Sequence, residues 1–214
     1  MQSIVLIGAG GHCRSIIDSI VEAKIFKIEG IIDEKLKKGD SIYNIPVIGA
    51  DFDLPSIYTR CQNAFVCVGS IADISPRYKI YKMLKDIGFI TPNIFDKTAI
   101  ISSFTDIGEG IYIGKNAIVN AGSKIYNMAI INSNVVVEHD CIVNEYCHIA
   151  TSATLCGGVV IGENSHIGAG AVIIQNKSIG KNTIIGAGSV VISDISSNCV
   201  AVGNPCKKIK EVIV

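Results

Sequence analysis

The chain has 214 residues, with 19 Lys and Arg balancing 19 Asp and Glu. Zero net charge removes the electrostatic case for a nucleic-acid or anionic-membrane partner, and the length accommodates one or two domains. Mean hydropathy is high at +0.44, yet no apolar run approaches the ~20 residues needed to span a bilayer. No secretory signal pattern opens the chain, so a cytoplasmic protein without membrane or nucleic-acid partners is expected.

The first ninety residues read as alternating strands and helices. Ser3 to Ile7 is a short apolar strand, Gly8 to Gly11 a glycine turn, and residues 12 to about 24 place Ile16, Ile17, Ile20 and Val21 at helical spacing. A second strand, Ile28 to Ile32, ends at Asp33-Glu34. A polar loop, the segment IPVIG, a helix near residues 53–60, a strand from Ala64 to Val68 and a helix from about Pro76 to Ile87 follow. This order implies a small parallel α/β sheet of Rossmann-like type over residues 1–90. Pro92 interrupts the last helix, which places the boundary between Phe89 and Asp96 and leaves residues 91–214 as a second domain.

From Ile101 every sixth residue as far as Val191 is aliphatic, sixteen positions without a slip. Fixed-period self-similarity is the mark of a stacked repeat, here a hexapeptide solenoid. Four residues beyond each of these the side chain is mostly small, as in Ala117, Ser123, Cys141, Cys147, Ala153, Ser165 and Ala171. One large and one small inward residue per six suits a thin triangular coil of three hexapeptides, stacked at about 4.8 Å. Ile111, Lys177 and Ile195 break the small-residue rule, and a corner bulging outward is expected at Lys177 because so narrow a core cannot hold an unpaired charge. The eight cysteines show no metal-binding spacing and read as buried reduced thiols.

Two places carry candidate chemistry. The turn Gly8-Ala9-Gly10-Gly11-His12-Cys13 resembles a dinucleotide fingerprint with cysteine in place of its third glycine. A glycine turn at a helix N-terminus offers backbone N–H groups and a positive dipole end to a phosphate, and Asp33 stands where a ribose- or base-binding carboxylate is expected. The bland alternative is a tight turn and a solvated strand end. On the solenoid, His148 and His166 are 18 apart and share a column, as do His139 and Gly157. His139 lies between Glu138 and Asp140, and a carboxylate beside an imidazole can fix its tautomer, as a general base requires. Strand alternation would point these neighbours away from His139, so pairing requires a backbone corner there.

The segments IGAGGH, IIDE, NSNVVVEHDCIVNEYCHIA, the glycine pair at 157–158 and VGNPCKKIK together resemble the bacterial sugar O/N-acyltransferases, the group of sialic acid O-acetyltransferases and PglD-type N-acetyltransferases. The resemblance covers nearly the whole chain. It implies a left-handed parallel β-helix assembled as a homotrimer, with acetyl-CoA as co-substrate between adjacent helices and no metal. The family's general base falls on His139 and its orienting acid on Asp140, where many relatives have Glu. The acetyl-contacting histidine falls on His148, the backbone donor to the thioester carbonyl on Gly157, and a polar pocket residue on Asn132. Ala169 and Ala187 form a smooth column for the pantetheine arm, and Lys207 and Lys208 are either contacts to CoA phosphates at the open end or a solvated tail. In PglD-like members the first domain holds a UDP-sugar, here through Gly10, Gly11, His12, Asp33 and Glu34.

The resemblance implies acetyl transfer to a UDP-linked 4-amino-4,6-dideoxy sugar, or in its other branch to sialic acid. Two readings from other classes stand beside it: a zinc enzyme of the trimeric β-helix carbonic anhydrase type, built on His148 and His166 with a histidine from the next subunit, and a structural solenoid without catalysis.

Overall fold

In the computed structural model, which describes residues 1–69, 71 and 73–212, the chain divides into two units, Met1–Ile94 and Phe95–Val214. The first contains β1 (Ser3–Ile7), α1 (Gly11–Ala23), β2 (Lys27–Ile32), β3 (Ser41–Ile42), β4 (Ile45–Gly49), α2 (Leu54–Tyr58), β5 (Ala64–Val66) and α3 (Ser75–Ile87). Its sheet has the order β3-β4-β2-β1-β5. β1 is flanked in parallel by β2 and β5, and Ile4, Val5, Leu6 and Ile7 are all buried. An unbroken apolar run of this kind suits a parallel strand covered on both faces. α1 buries Ile16, Ile17 and Ile20 against the sheet, whereas Val21, one step off that stripe, is exposed.

Two details depart from the sequence reading. The strand expected to reach Val68 stops at Val66, so Cys67 and Val68 belong to the loop at the carboxyl end of the sheet. The segment IPVIG forms a strand, but it also pairs antiparallel with β3 in a hairpin. Tyr43 and Asn44 turn that hairpin with φ of 49° and 64°, the positive values a two-residue turn of this twist needs. Without the usual glycine the signal was hard to see.

The second unit is the left-handed parallel β-helix. Each hexapeptide gives a two-residue strand whose first residue points out and whose second, the periodic aliphatic, points in. Strands 18 residues apart pair in parallel and build three faces. The first face runs from Ile100–Ile101 through Val136–Val137 to Val190–Val191, and the second from Asp106–Ile107 through Ile142–Val143 to Ser178–Ile179. The third includes Tyr112–Ile113, Ile130–Ile131, His148–Ile149, His166–Ile167 and Ile184–Ile185.

A residue with positive φ recurs at every sixth position from Gly110 to Gly188, because the chain must turn a corner after each strand. Gly and Asn hold most of these corners, as the left-handed region demands. Met128, Asp140, Tyr146 and Ser152 are the exceptions.

The small inward residues do more than fill space. Ser123 Oγ donates to the Glu138 carbonyl (2.8 Å), Cys141 Sγ to Cys156 (3.2 Å), Cys147 Sγ to Gly162 (3.1 Å) and Ser165 Oγ to Gly180 (2.8 Å). Each donor lies fifteen residues before its acceptor and satisfies a carbonyl inside the coil, which apolar Ala could not do. Burial pushes the Cys141 thiol up to about 11, so it stays protonated and donates.

No outward bulge forms at Lys177. Its carbonyl accepts the Val160 N–H at 3.0 Å, the same ladder bond made by neighbouring coils, and the side chain is only half-buried. The backbone spacing is therefore kept and the long side chain alone carries its charge toward water. The C-terminal segment is a strand, Lys207–Glu211, antiparallel to Cys199–Val202, with Lys208 paired to Glu211. It covers the last paired edge of the stack, where open backbone groups would otherwise invite association.

Leu155 is fully buried at mid-stack, and Leu155→Ala should cost about 2–5 kcal/mol of stability. A urea midpoint unchanged from wild type would show that the coil interior does not carry the stability of this unit.

Candidate active site

The glycine turn sits between the carboxyl end of β1 and the start of α1. With Asp33, Glu34, Asp51 and Val68 it lines a cavity of about 770 Å³. No side chain caps α1, whose first turn holds no acidic residue, so its positive end is left for an anion. Methyl groups added at Gly10 or Gly11 would meet nothing within 4 Å, so both face open space. His12 also lines the cavity.

Asp33 acts as a clamp on this loop. Its Oδ2 accepts the Ala9 N–H at 2.8 Å, and Oδ1 accepts the N–H groups of Lys35 (2.8 Å) and Leu36 (3.0 Å). Burial would raise the Asp33 carboxyl, but these three backbone donors outweigh it and hold the group below the usual aspartate range. Glu34 accepts the Asp51 N–H at 3.0 Å. Asp51 is a cavity residue that the sequence reading missed. Burial, with Glu34 and Asp33 close by, raises its carboxyl above the ordinary value. Its one sequence signal is its place just past the end of a strand. Cys13 is fully buried, lies outside the cavity lining and packs against Cys67, so the missing glycine removes no space from the cavity.

On the β-helix the expected residues fall into two separate groups. The first occupies the edge between the first and second faces. His139 Nδ1 lies 2.8 Å from Asp140 Oδ2, with side chains 65 % and 72 % exposed. Asp140 has φ of 59°, the corner that strand alternation required for the pair to meet. One coil on, Gly157 lies against the imidazole: a methyl group there would stand 2.5 Å from His139 Nε2. A larger residue would push the ring out of this position. Among the described residues the Gly157 N–H takes no part in the coil ladder and has no hydrogen-bond partner.

The second group lies on the third face and the edge beyond it. Asn132 Nδ2 is 3.4 Å from His148 Nε2, and His148 is in register with His166. The two rings meet edge to face with centroids 4.9 Å apart. Ala169 and Ala187 are exposed on the edge between the third and first faces. A triangular coil sets an edge opposite the face that does not share it. One chain therefore holds His139, Asp140 and Gly157 away from Asn132, His148 and the alanine column. Among the described residues no cluster of three or more His, Cys, Asp or Glu forms a metal site, and no helix is long and apolar enough to cross a membrane.

Residues 3–84 match the PglD N-terminal domain, and residues 158–193 match the bacterial transferase hexapeptide family of six repeats. A histidine-substituted variant of perosamine N-acetyltransferase from Caulobacter crescentus, solved with CoA and GDP-perosamine, superposes with a TM-score of 0.92. Identity is 32%, covering 99% of this chain and 98% of that one. The chain belongs to the bacterial hexapeptide-repeat sugar acyltransferases.

Its fold also matches the acetyltransferase domain of PglB from Neisseria gonorrhoeae FA1090, solved with acetyl coenzyme A (TM-score 0.89, 30% identity, 97% and 99% coverage). WeeI from Acinetobacter baumannii AYE gives 0.85 at 26% identity, with 98% and 100% coverage. The curated proteins contain no match.

In this acyltransferase His166 has an expected acid response. Burial, and then His148 beside it, depress its imidazole to about 4 from 6.5, and its Nδ1 is buried without a partner. Between those values the unfolded chain takes up a proton that the folded chain refuses, so stability falls as pH drops from about 6.5 to 4. A His166→Phe variant should lose that part of the decline, as read by denaturant titration. An NMR titration showing a charged His166 at pH 5.5 would refute the assignment.

Proposed function

We propose that this chain transfers the acetyl group of acetyl-CoA to the amine of a nucleoside diphosphate-linked 4-amino-4,6-dideoxy sugar in a homotrimer whose active sites lie between subunits. The carrying observation is the His139–Asp140 pair set against Gly157. With Asp140 ionised, Nδ1–H donates to its carboxylate and Nε2 keeps the lone pair. As the amine nitrogen bonds to the thioester carbon, Nε2 takes its proton, and the Gly157 N–H stabilises the oxyanion. Collapse releases the thiol of CoA, protonated through His139, and leaves an amide. No covalent enzyme intermediate is needed.

The two separated groups support the shared site. His148, Asn132, Ala169 and Ala187 act on acetyl-CoA, and only a neighbouring copy can bring them to His139. Joining different surfaces of identical chains makes a heterologous contact, which closes into a ring on a threefold prism. The first face supplies an outward stripe of Ile100, Ile118, Val136, Val172 and Val190, interrupted by Thr154 and half-buried or exposed in the single chain, of the kind that marks an interface. In the N-terminal unit Gly10, Gly11 and His12 at the start of α1 receive the diphosphate. Asp33 and Glu34 hold the loops beneath the nucleoside. A UDP-sugar is the expectation from the chain's motifs, and the GDP-perosamine bound to the Caulobacter relative makes the GDP-sugar the second acceptor to assay.

His139→Ala should lower kcat by ~10²-fold or more with little change in acetyl-CoA affinity, since the base acts mainly in the transition state. Near-normal turnover would remove His139 from the chemistry.

Mixing subunits tests the shared site. His139→Ala and His148→Ala chains, each nearly inactive alone, should regain about a quarter of wild-type activity when co-folded in equal amounts, because one interface in four joins two intact halves. No recovery in mixed trimers, or an active monomer by light scattering, would sink the model.

A further inference from the structure

The edge that carries His139 holds one more feature. Phe104 is 79 % exposed and stands at the corner position that Gly122 and then Asp140 occupy on the next two coils. The Gly122 N–H donates to the Phe104 carbonyl at 3.0 Å, and the Asp140 N–H to the Ala121 carbonyl at 3.1 Å, so the three corners are stacked. The coil between them offers only Ala121 and Gly122, both exposed. The result is a notch with an aromatic ring at one end and the His139–Asp140 pair at the other, two coil rises or about 10 Å apart.

Asp140 leans into this notch. Its Oδ2 holds His139, while Oδ1 overhangs Gly122 so closely that a methyl group there would collide with it. Among the described residues Oδ1 has no hydrogen-bond partner. An apolar platform at one end and an unused carboxylate oxygen at the other complement a ring with a C–H face and hydroxyl edges.

We propose that the notch seats the acceptor hexose, with Phe104 packed against the C–H face of the pyranose and Asp140 Oδ1 accepting a hydrogen bond from a sugar hydroxyl. His139 Nε2 lies over Gly157, across the Asp140 coil from the gap, so a ring resting in the notch reaches the base with an amine that projects past Asp140. The proposal rests on the N-acetyltransferase reading and adds to it the residue that selects the sugar. Covering Phe104 removes exposed apolar surface from water, which makes it a source of sugar affinity. Asp140 thereby serves two partners, one oxygen for the base and one for the substrate.

The test uses the full chain with acetyl-CoA and either GDP-perosamine or a UDP-linked 4-amino-4,6-dideoxyhexose, alongside calorimetry with GDP and UDP alone. Phe104→Ala should raise KM for the amino-sugar nucleotide about tenfold, leaving KM for acetyl-CoA and affinity for the bare nucleotide unchanged. Phe104→Tyr should restore the wild-type value. An unchanged acceptor KM overturns the proposal. So does a shift in oligomeric mass with equal losses toward both substrates, which would make Phe104 a subunit contact. A wild-type chain that binds the amino-sugar nucleotides without acetylating them would defeat the N-acetyltransferase reading alone. The notch is then judged by whether Phe104→Ala abolishes the extra affinity that the sugar confers over the bare nucleotide.

Discussion

The structure of the second unit depends on one constraint: a chain that turns a corner every six residues must enter the left-handed backbone region at each turn. Gly and Asn meet that demand at low cost, and the three faces, the inward aliphatic ladder and the stacked edges follow from it. Where the corner is Asp140, the cost is accepted and the turn becomes part of the candidate site. The same positive φ that ends the strand swings the carboxylate beside His139. No extended backbone could bring adjacent side chains together in this way.

Stacking converts sequence spacing into chemistry. Residues 18 apart lie one above the other, so Gly157 clears room for His139 and Gly122 clears room for Asp140. His166 packs edge-on against His148 through the same rule. A solenoid can thus tune a site by substitutions on the coils above and below it, each touching only its neighbours. The price is that one narrow prism cannot surround a substrate. Its candidate side chains sit on an opposed edge and face, and in the proposed trimer a neighbouring copy would bring the two halves together.

The N-terminal unit works by a different economy. Its carboxylate at the end of β2 is consumed by three backbone N–H groups, which fixes the loop before any ligand arrives. Preorganisation of this kind lowers the ordering cost of binding. The glycine-turn end of the cavity is left to backbone and helix dipole, and the carboxylates of Glu34 and Asp51 also line it.

Much of this was legible in the sequence, because the hexapeptide period is enforced by core packing at every turn. The aliphatic ladder, the small slots, the histidine column and the need for a corner at residue 140 all follow from spacing alone. Local rules gave less where the signal was atypical. The Tyr43-Asn44 hairpin lacks a glycine, Asp51 follows a strand without a motif, and Lys177 breaks the side-chain rule while its backbone keeps the ladder bond. Only the tertiary structure could decide which candidate residues meet. It turned Cys13 into the core, gave Asp33 to the loop backbone, and separated His148 from His139 on opposite sides of the prism. Periodicity fixes the order of residues along each column, but which columns face one another is set by the closure of three faces around a core, and that is a property of the folded coil.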